Sequence, residues 1–168
     1  VLAYSLVSHT HENVVFTACS LGETIGANSK DTMLCLGPLC TIGEQLFSYH
    51  LAMRYGIQVT IAPKKIMKNR GVLLDLLRRS RPTIFVTIPR VWGKIMEIFK
   101  GQAVISNLNQ ELGLDSARFI ANYGQTPLDP LTAQFFNGHG MKNIHCVIGT
   151  PESSGAFMVL EDNVEAIG

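Results

Sequence analysis

The 168-residue sequence has no long uncharged apolar run and little net charge. Its longest candidate run, Thr32 to Gly43, is far shorter than the ~20 residues of a membrane-spanning helix, and Gly37 and Pro38 interrupt it. The formal net charge is only +1, which argues against a nucleic-acid groove, since such a groove needs a basic stripe. We therefore predict no transmembrane segment and no nucleic-acid partner.

Motifs that define several common protein classes are also missing. The four cysteines form no CxxC pair and no matched spacing with histidine, so we expect reduced thiols and no structural zinc. No GxGxxG follows an apolar run, and no GxSxG elbow is present, which disfavours dinucleotide-binding oxidoreductases and serine hydrolases. The chain starts at Val1 with no secretory signal pattern, and we interpret it as a segment of a longer cytoplasmic protein.

The residues that are present indicate a globular α/β domain. Apolar residues make up 46% of the chain and charged residues 16%, which is enough apolar side chain to bury a core. Runs of strand length alternate with stretches of helical periodicity. Strands are predicted at 32–36, 57–62, 83–88, 117–122 and 144–148. Helices are predicted at 11–26, 41–55, 71–79, 90–99, 105–112 and 130–137.

This alternation predicts one domain with a mostly parallel sheet and helices on both of its faces. Ligands of such folds bind outside the carboxyl ends of the strands. Thr41 and Glu44 have capping-box spacing at the start of the second helix, and capping is the interpretation we favour for Glu44 over a carboxylate beside a pocket.

The most informative strand end follows the apolar run from Asn143 to Ile148. The next residues, 149–155, combine glycines, hydroxyl side chains and the single carboxylate of Glu152. Glycine lets the backbone approach a ligand, hydroxyls and amides bond to phosphate oxygens, and a carboxylate binds Mg²⁺. The alternative is a plain connection between a strand and a loop, so this turn needs support from other parts of the chain.

Four stretches in chain order supply that support, because they resemble the adenylate-forming acyl-CoA synthetases, especially the long-chain and bubblegum-type fatty acid ligases. Residues 36–45 resemble the family segment LPLSHIxEQ, and residues 81–95 are close to KPTxFxxVPRVWEKI. Residues 112–128 match LGLDxxxxxxxGAAPI, and residues 148–155 correspond to YGMTESSG. The resemblance implies that residues 1–168 are a central part of the family's large amino-terminal domain.

The resemblance also implies a two-step reaction. A fatty acid carboxylate attacks the α-phosphate of ATP to give an acyl-adenylate and pyrophosphate, and the coenzyme A thiolate then displaces AMP. Catalysis of this kind depends on neutralising charge with Mg²⁺ and on positioning two anions that repel each other. The implied ligands are therefore ATP or AMP, Mg²⁺, coenzyme A and a fatty acid.

Site residues follow from the resemblance position by position. The residues implied beside the adenine are Gly124, Gln125, Thr126 and Pro127. The residues implied along the rest of the nucleotide are Ile148, Gly149, Thr150 and Pro151. Glu152 is the implied Mg²⁺ ligand. No catalytic residue is assigned, because the lysine-bearing carboxy-terminal domain is expected to lie outside these 168 residues.

Several positions depart from the family pattern. Ile148 replaces a tyrosine, and Pro151 replaces a threonine whose hydroxyl meets the α-phosphate; proline has neither that hydroxyl nor a backbone N–H. Gln125 and Thr126 replace two alanines at the adenine position. Residues 1–7, where the glycine-rich phosphate loop is expected to end, contain no glycine and no lysine.

Two functional interpretations follow. The first is a fragment or degenerate relative of an ATP-dependent, AMP-forming fatty acid–CoA ligase, cytoplasmic and in contact with a membrane surface only peripherally. The alternative is a non-catalytic α/β protein that binds an acyl group or a nucleotide without turnover.

Overall fold

Six strands form one sheet in the part of the chain that the computed structural model describes, residues 6–64, 66–100 and 107–160. The strands are β1 (Thr32–Cys35), β2 (Gln58–Ile61), β3 (Ile84–Thr87), β4 (Phe119–Gly124), β5 (Ile144–Thr150) and β6 (Gly155–Leu160). Their order across the sheet is β2-β1-β3-β4-β5-β6. Every neighbouring pair is parallel except β5 and β6, which are antiparallel.

Helices connect the parallel strands. The α-helices are α1 (His11–Thr24), α2 (Ile42–Gln45), α3 (Ala52–Tyr55), α4 (Arg70–Ser80), α5 (Pro89–Phe99), α6 (Leu108–Leu112) and α7 (Pro130–Gly138). A π-helix, Leu46–Leu51, joins α2 to α3, and short 3₁₀ turns cover Ile66–Lys68 and Pro151–Ser153. Among the described residues, no helix combines the length and apolar character needed to cross a bilayer.

The sheet divides the core into two clusters, one on each face. Side chains from α1, the π-helix and α3 pack on one face, against strand residues that include Met33, Ala121 and Val147. Helices α4 to α7 pack on the other face, where Trp92 is fully buried in edge contacts with Phe85 and Phe136. Because successive strand residues point to opposite faces, β4 contributes to both clusters.

The predicted parallel sheet with helices on both faces is confirmed. The predicted 105–112 helix is seen as α6, and its first two positions lie outside the described residues. The sequence pattern predicts a turn at 149–155 and no strand after it, whereas the structure has the corner of a β-hairpin there and the additional strand β6. The predicted helix at 41–55 is interrupted by the π-helix.

The predicted capping box at the second helix is wrong. The Thr41 side chain makes no cap bond to the helix, and its hydroxyl donates to the Pro38 carbonyl oxygen at 3.0 Å. Glu44 reaches back to the strand end instead, accepting the Gly37 N–H at 2.7 Å. The Glu44 carboxylate is thus bonded to the loop that follows β1 and not to the start of its own helix.

An ion pair between the partly exposed Arg118 and the buried Asp31 joins the amino ends of three strands. The Asp31 carboxylate, 3% exposed, accepts two hydrogen bonds from the Arg118 guanidinium, and the Thr83 hydroxyl donates to it at 2.7 Å. Arg118 also donates to the carbonyl oxygens of Ile25 and Gly26 at the end of α1. These bonds tie β1, β3, β4 and α1 together at the edge opposite the carboxyl ends of the strands.

Replacing Arg118 tests this connection. Arg118→Met keeps an apolar stem but leaves the Asp31 carboxylate buried without its cation, so we expect the free energy of unfolding to fall by about 3 kcal/mol. Arg79→Met is the matched control, because Arg79 pairs with Asp75 on an exposed helix surface. The control should lose about 0.5 kcal/mol or less in urea unfolding. Equal losses in the two variants would contradict the account.

The pH dependence of the difference in unfolding free energy between the wild type and Arg118→Met shows how much of it is due to the Asp31 charge rather than to packing. Burial alone would raise the pKa of Asp31, but hydrogen bonds from Arg118, Thr83 and the Asn28 backbone outweigh it and lower this pKa. A carboxyl with a lowered folded pKa stabilises the fold above its unfolded pKa, and that contribution is lost as the pH falls through the folded pKa. The wild type should therefore lose its advantage over Arg118→Met below about pH 4.

Candidate functional site

The two turns singled out from the sequence lie side by side at the carboxyl edge of the sheet. Strands β4 and β5 are parallel neighbours, and Gly124, the last residue of β4, pairs with Ile148 of β5. The segments after Gly124 and after Thr150 therefore leave the sheet at the same edge. The two turns are therefore neighbours at that edge.

A buried asparagine holds the first turn from below. Asn122 is fully buried two residues before the end of β4, and its Nδ2 donates to the Thr126 carbonyl oxygen at 3.2 Å. The side chains of Gln125 and Thr126 are exposed, and Pro127 is half-buried. The turn thus presents its side chains outward while its backbone is tied to the sheet.

The second turn is closed by one serine hydroxyl. Ser153 Oγ accepts the Thr150 N–H at 3.1 Å and lies 3.0 Å from the Thr150 carbonyl oxygen and 2.6 Å from that of Gly155. This ring of contacts fixes the 3₁₀ turn Pro151–Ser153 and leaves Glu152 exposed at its apex. Gly149 and Thr150 belong to β5 itself, which corrects their predicted place in the turn.

The corner between the 3₁₀ turn and β6 has an unusual backbone. Ser154 has a φ of 58°, in the left-handed region that favours glycine, and Gly155 follows with a φ of 111°. Ser154 is buried, and its Oγ lies 2.8 Å from Nδ1 of His9, the residue just before the Thr10 cap of α1. This contact joins the start of the described chain to the turn that carries Glu152.

Glu152 borders a cleft of about 620 Å³ between α1 and β6. Its lining includes the polar residues His9, Glu12 and Ser153 and the apolar residues Phe16 and Phe157. Residues 124–127 of the first turn do not line this cleft.

The donor set around Glu152 limits what metal it can hold. Among the residues that the structure describes, no group of three or more His, Cys, Asp or Glu side chains is placed to bind a metal ion. Magnesium is commonly bound through one or two carboxylates, with water and substrate phosphates completing its shell. The exposed Glu152 fits that mode and does not fit an all-protein metal cage.

Glu44 binds the loop that follows β1, the strand on the side of β3 opposite β4. Besides the Gly37 N–H, its carboxylate accepts the Ser48 hydroxyl at 2.8 Å. Burial, joined by the Glu44 carboxylate, raises the pKa of the Cys35 thiol to about 11. Cys35 therefore stays protonated at neutral pH and is an inert core side chain rather than a nucleophile.

Comparisons with known proteins agree with this geometry. The family model described as AMP-binding enzyme matches residues 6–168. Among curated proteins, long-chain-fatty-acid–CoA ligase ACSBG2 of Xenopus laevis is 33% identical over 93% of this chain. ACSBG1 of Rattus norvegicus is 38% identical over 52% of it. This chain spans only 23% and 12% of those two ligases.

Solved structures show the same fold. The o-succinylbenzoate–CoA synthetase of Bacillus subtilis in complex with its acyl-adenylate intermediate aligns over 92% of this chain, with a TM-score of 0.74 and 18% identity. A long-chain-fatty-acid–CoA ligase from Archaeoglobus fulgidus aligns over 91%, with a TM-score of 0.70 and 15% identity. This chain covers 28% and 30% of those proteins.

The fold is thus that of part of an adenylate-forming enzyme's amino-terminal domain. The chain belongs to the AMP-binding enzyme family, and it is a relative of the fatty-acid–CoA ligases.

Two features of the site were missed by reasoning from the sequence. Asn122 had a local signal, because a polar side chain in the middle of the apolar strand Phe119-Ile120-Ala121-Asn122-Tyr123 needs a partner. The His9 contact with Ser154 had none, since the two residues are 145 positions apart.

Gly149 is the most constrained position of the site. A Cβ added there would lie 2.1 Å from the carbonyl oxygen of Gly155 on β6, and that neighbour is backbone. We expect Gly149→Ala to separate β5 from β6 and to lower the free energy of unfolding by about 3 kcal/mol.

Gly138→Ala is the matched control for this prediction. Gly138 lies in α7 with nothing within 4 Å of an added Cβ, so alanine should be neutral or stabilising there. Thermal unfolding of both variants measures the contrast. A Gly149→Ala variant as stable as the wild type would show that the strands are not packed as closely as described.

Proposed function

We propose that this chain forms part of the nucleotide site of an AMP-forming fatty acid–CoA ligase. The observation that supports it most is the placement of 124–127 and 149–155 at adjacent strand ends, joined through the Gly124–Ile148 pair. Ligands of parallel α/β sheets bind at such carboxyl ends. The proposed ligands are ATP or AMP, Mg²⁺, coenzyme A and a fatty acid.

Each of the two turns would contact a different part of the nucleotide. Gly124, Gln125, Thr126 and Pro127 would lie beside the adenine. Ile148, Gly149, Thr150 and Pro151 would lie along the rest of the nucleotide, and Glu152 would hold Mg²⁺. That ion would neutralise negative charge on the phosphates. The chain itself contributes a fixed backbone, because Ser153 closes one turn and Asn122 ties down the other.

One observation favours a second candidate, a nucleotide- or acyl-binding protein without turnover. Pro151 opens the 3₁₀ turn and is exposed, so the position that would face the α-phosphate offers neither a hydroxyl nor an N–H. Loss of one donor to a developing charge lowers a rate by about 10²–10³. Binding of a nucleotide does not need a donor that stabilises the transition state. The backbone of residues 124–127 and 149–150 would therefore support binding without turnover.

The parent protein would act in the cytoplasm. Its fatty acyl substrates partition into lipid, so peripheral contact with an intracellular membrane is the location that we propose for it.

Calorimetry with AMP tests the role of Glu152. Glu152→Gln keeps the size of the side chain and removes its charge. We expect AMP affinity in the presence of Mg²⁺ to fall about tenfold, and affinity without Mg²⁺ to be unchanged, because only the metal needs the carboxylate.

Glu12→Gln is the control, since Glu12 is an exposed carboxylate of the same cleft. It should bind AMP like the wild type under both conditions. If Glu152→Gln also binds AMP like the wild type with Mg²⁺ present, Glu152 has no part in the site.

The 168 residues alone should not form acyl-CoA. They span less than a quarter of the Xenopus ligase, and Pro151 removes one contact to the α-phosphate. Incubation with ATP, Mg²⁺, coenzyme A and palmitate, followed by chromatography, should show no thioester above background. Steady thioester formation proportional to protein would refute the inactive interpretation of this segment.

A further inference from the structure

Asn122 is a buried polar side chain on a face of the sheet that is packed mainly with apolar side chains. It is fully buried, and helices α4 to α7 supply apolar side chains to the face of the sheet on which it lies. Its Nδ2 donates to the carbonyl oxygen of Thr126, four residues further along the chain. That bond joins the strand to the turn where the adenine is proposed to lie.

The other half of the same amide is unsatisfied. Asn122 Oδ1 is buried and has no hydrogen-bond partner. A buried carbonyl without a donor lowers the stability of a fold, and an apolar side chain of similar volume would avoid that cost. Asn122 is therefore a poor choice for packing alone, and its bond to the Thr126 carbonyl oxygen points to a role in the turn.

The strand register places Asn122 between two other small buried side chains. Thr87 of β3 pairs with it on one side and Cys146 of β5 on the other. Thr87 is 5% and Cys146 1% exposed, so the three form a buried row just below the carboxyl edge. No hydrogen bond from Thr87 or Cys146 to the turn is seen among the described residues, whereas Asn122 makes one.

We infer that Asn122 is a positioning residue for the nucleotide site, holding residues 124–127 in the shape that receives the adenine. The inference rests on the proposed function and adds a residue to it. Asn122 itself is fully buried, so it would act through the Thr126 backbone rather than by touching the nucleotide.

Asn122→Leu separates this role from a structural one. Leucine keeps the branching and the heavy-atom count of asparagine, and it removes the unsatisfied carbonyl together with the bond to Thr126. We expect the melting temperature to be unchanged or higher, and AMP affinity to be about fivefold to tenfold weaker, the effect of one hydrogen bond. If Asn122 served stability alone, its replacement would lower the melting temperature and the AMP affinity together.

Thr87→Val is the matched control. It is isosteric, lies in the same buried row and removes a hydroxyl from the neighbouring strand. AMP should bind this variant as it binds the wild type. An equal loss of affinity in Thr87→Val and Asn122→Leu would overturn the inference. It would mean that any substitution in the buried row weakens AMP binding, with or without the bond to Thr126.

Amide hydrogen exchange of the AMP-free protein provides the second readout. Loss of the bond to Thr126 should speed exchange at Gln125 and Thr126 in Asn122→Leu, and in Asn122→Ser, whose side chain is too short to reach. Unchanged exchange, or AMP affinity equal to the wild type in a folded Asn122→Leu, overturns the inference. If the wild type binds no AMP, the proposed function fails, and the exchange rates alone then decide whether Asn122 holds the turn.

Discussion

The fold depends most on the ion pair between Asp31 and Arg118. A carboxylate that is 3% exposed is stable only with compensating charge and hydrogen bonds, and Arg118, Thr83 and the Asn28 backbone supply them. Because these groups start β1, β3 and β4, the pair sets where each strand begins. In parallel strands of four to seven residues, a fixed start also fixes where the carboxyl ends lie.

The candidate site is a consequence of that alignment. The 124–127 turn and the Pro151–Ser153 turn leave neighbouring strands at the same edge, and each is fastened by one internal polar group, Asn122 or Ser153. The His9 contact with Ser154 adds a connection to the start of α1. The backbone of each turn is held by hydrogen bonds, while Gln125, Thr126 and Glu152 expose their side chains, and this arrangement suits a ligand recognised through phosphate and ring surfaces.

The sequence predicted the strands well because each is a short apolar run between helices, and burial on both faces of a parallel sheet demands that pattern. It missed β6, since Gly155 to Leu160 pairs with β5 through a left-handed corner at Ser154 that has no local signal. The spacing of Thr41 and Glu44 predicts a capping box for a related reason: the bond from the Gly37 N–H to the Glu44 carboxylate joins residues seven positions apart and depends on the fold.

The central claim is that AMP binds at the carboxyl edge, across the ends of β4 and β5. Titration of the isotope-labelled chain with AMP, followed by amide NMR, tests this most directly, because the backbone N–H groups at each strand end give separate signals. The account predicts chemical-shift changes confined to residues 123–127 and 149–155 and their immediate neighbours. Changes centred on the opposite edge, around the hollow lined by Asn109, Arg118 and Lys142, would contradict it, as would no change at saturating AMP.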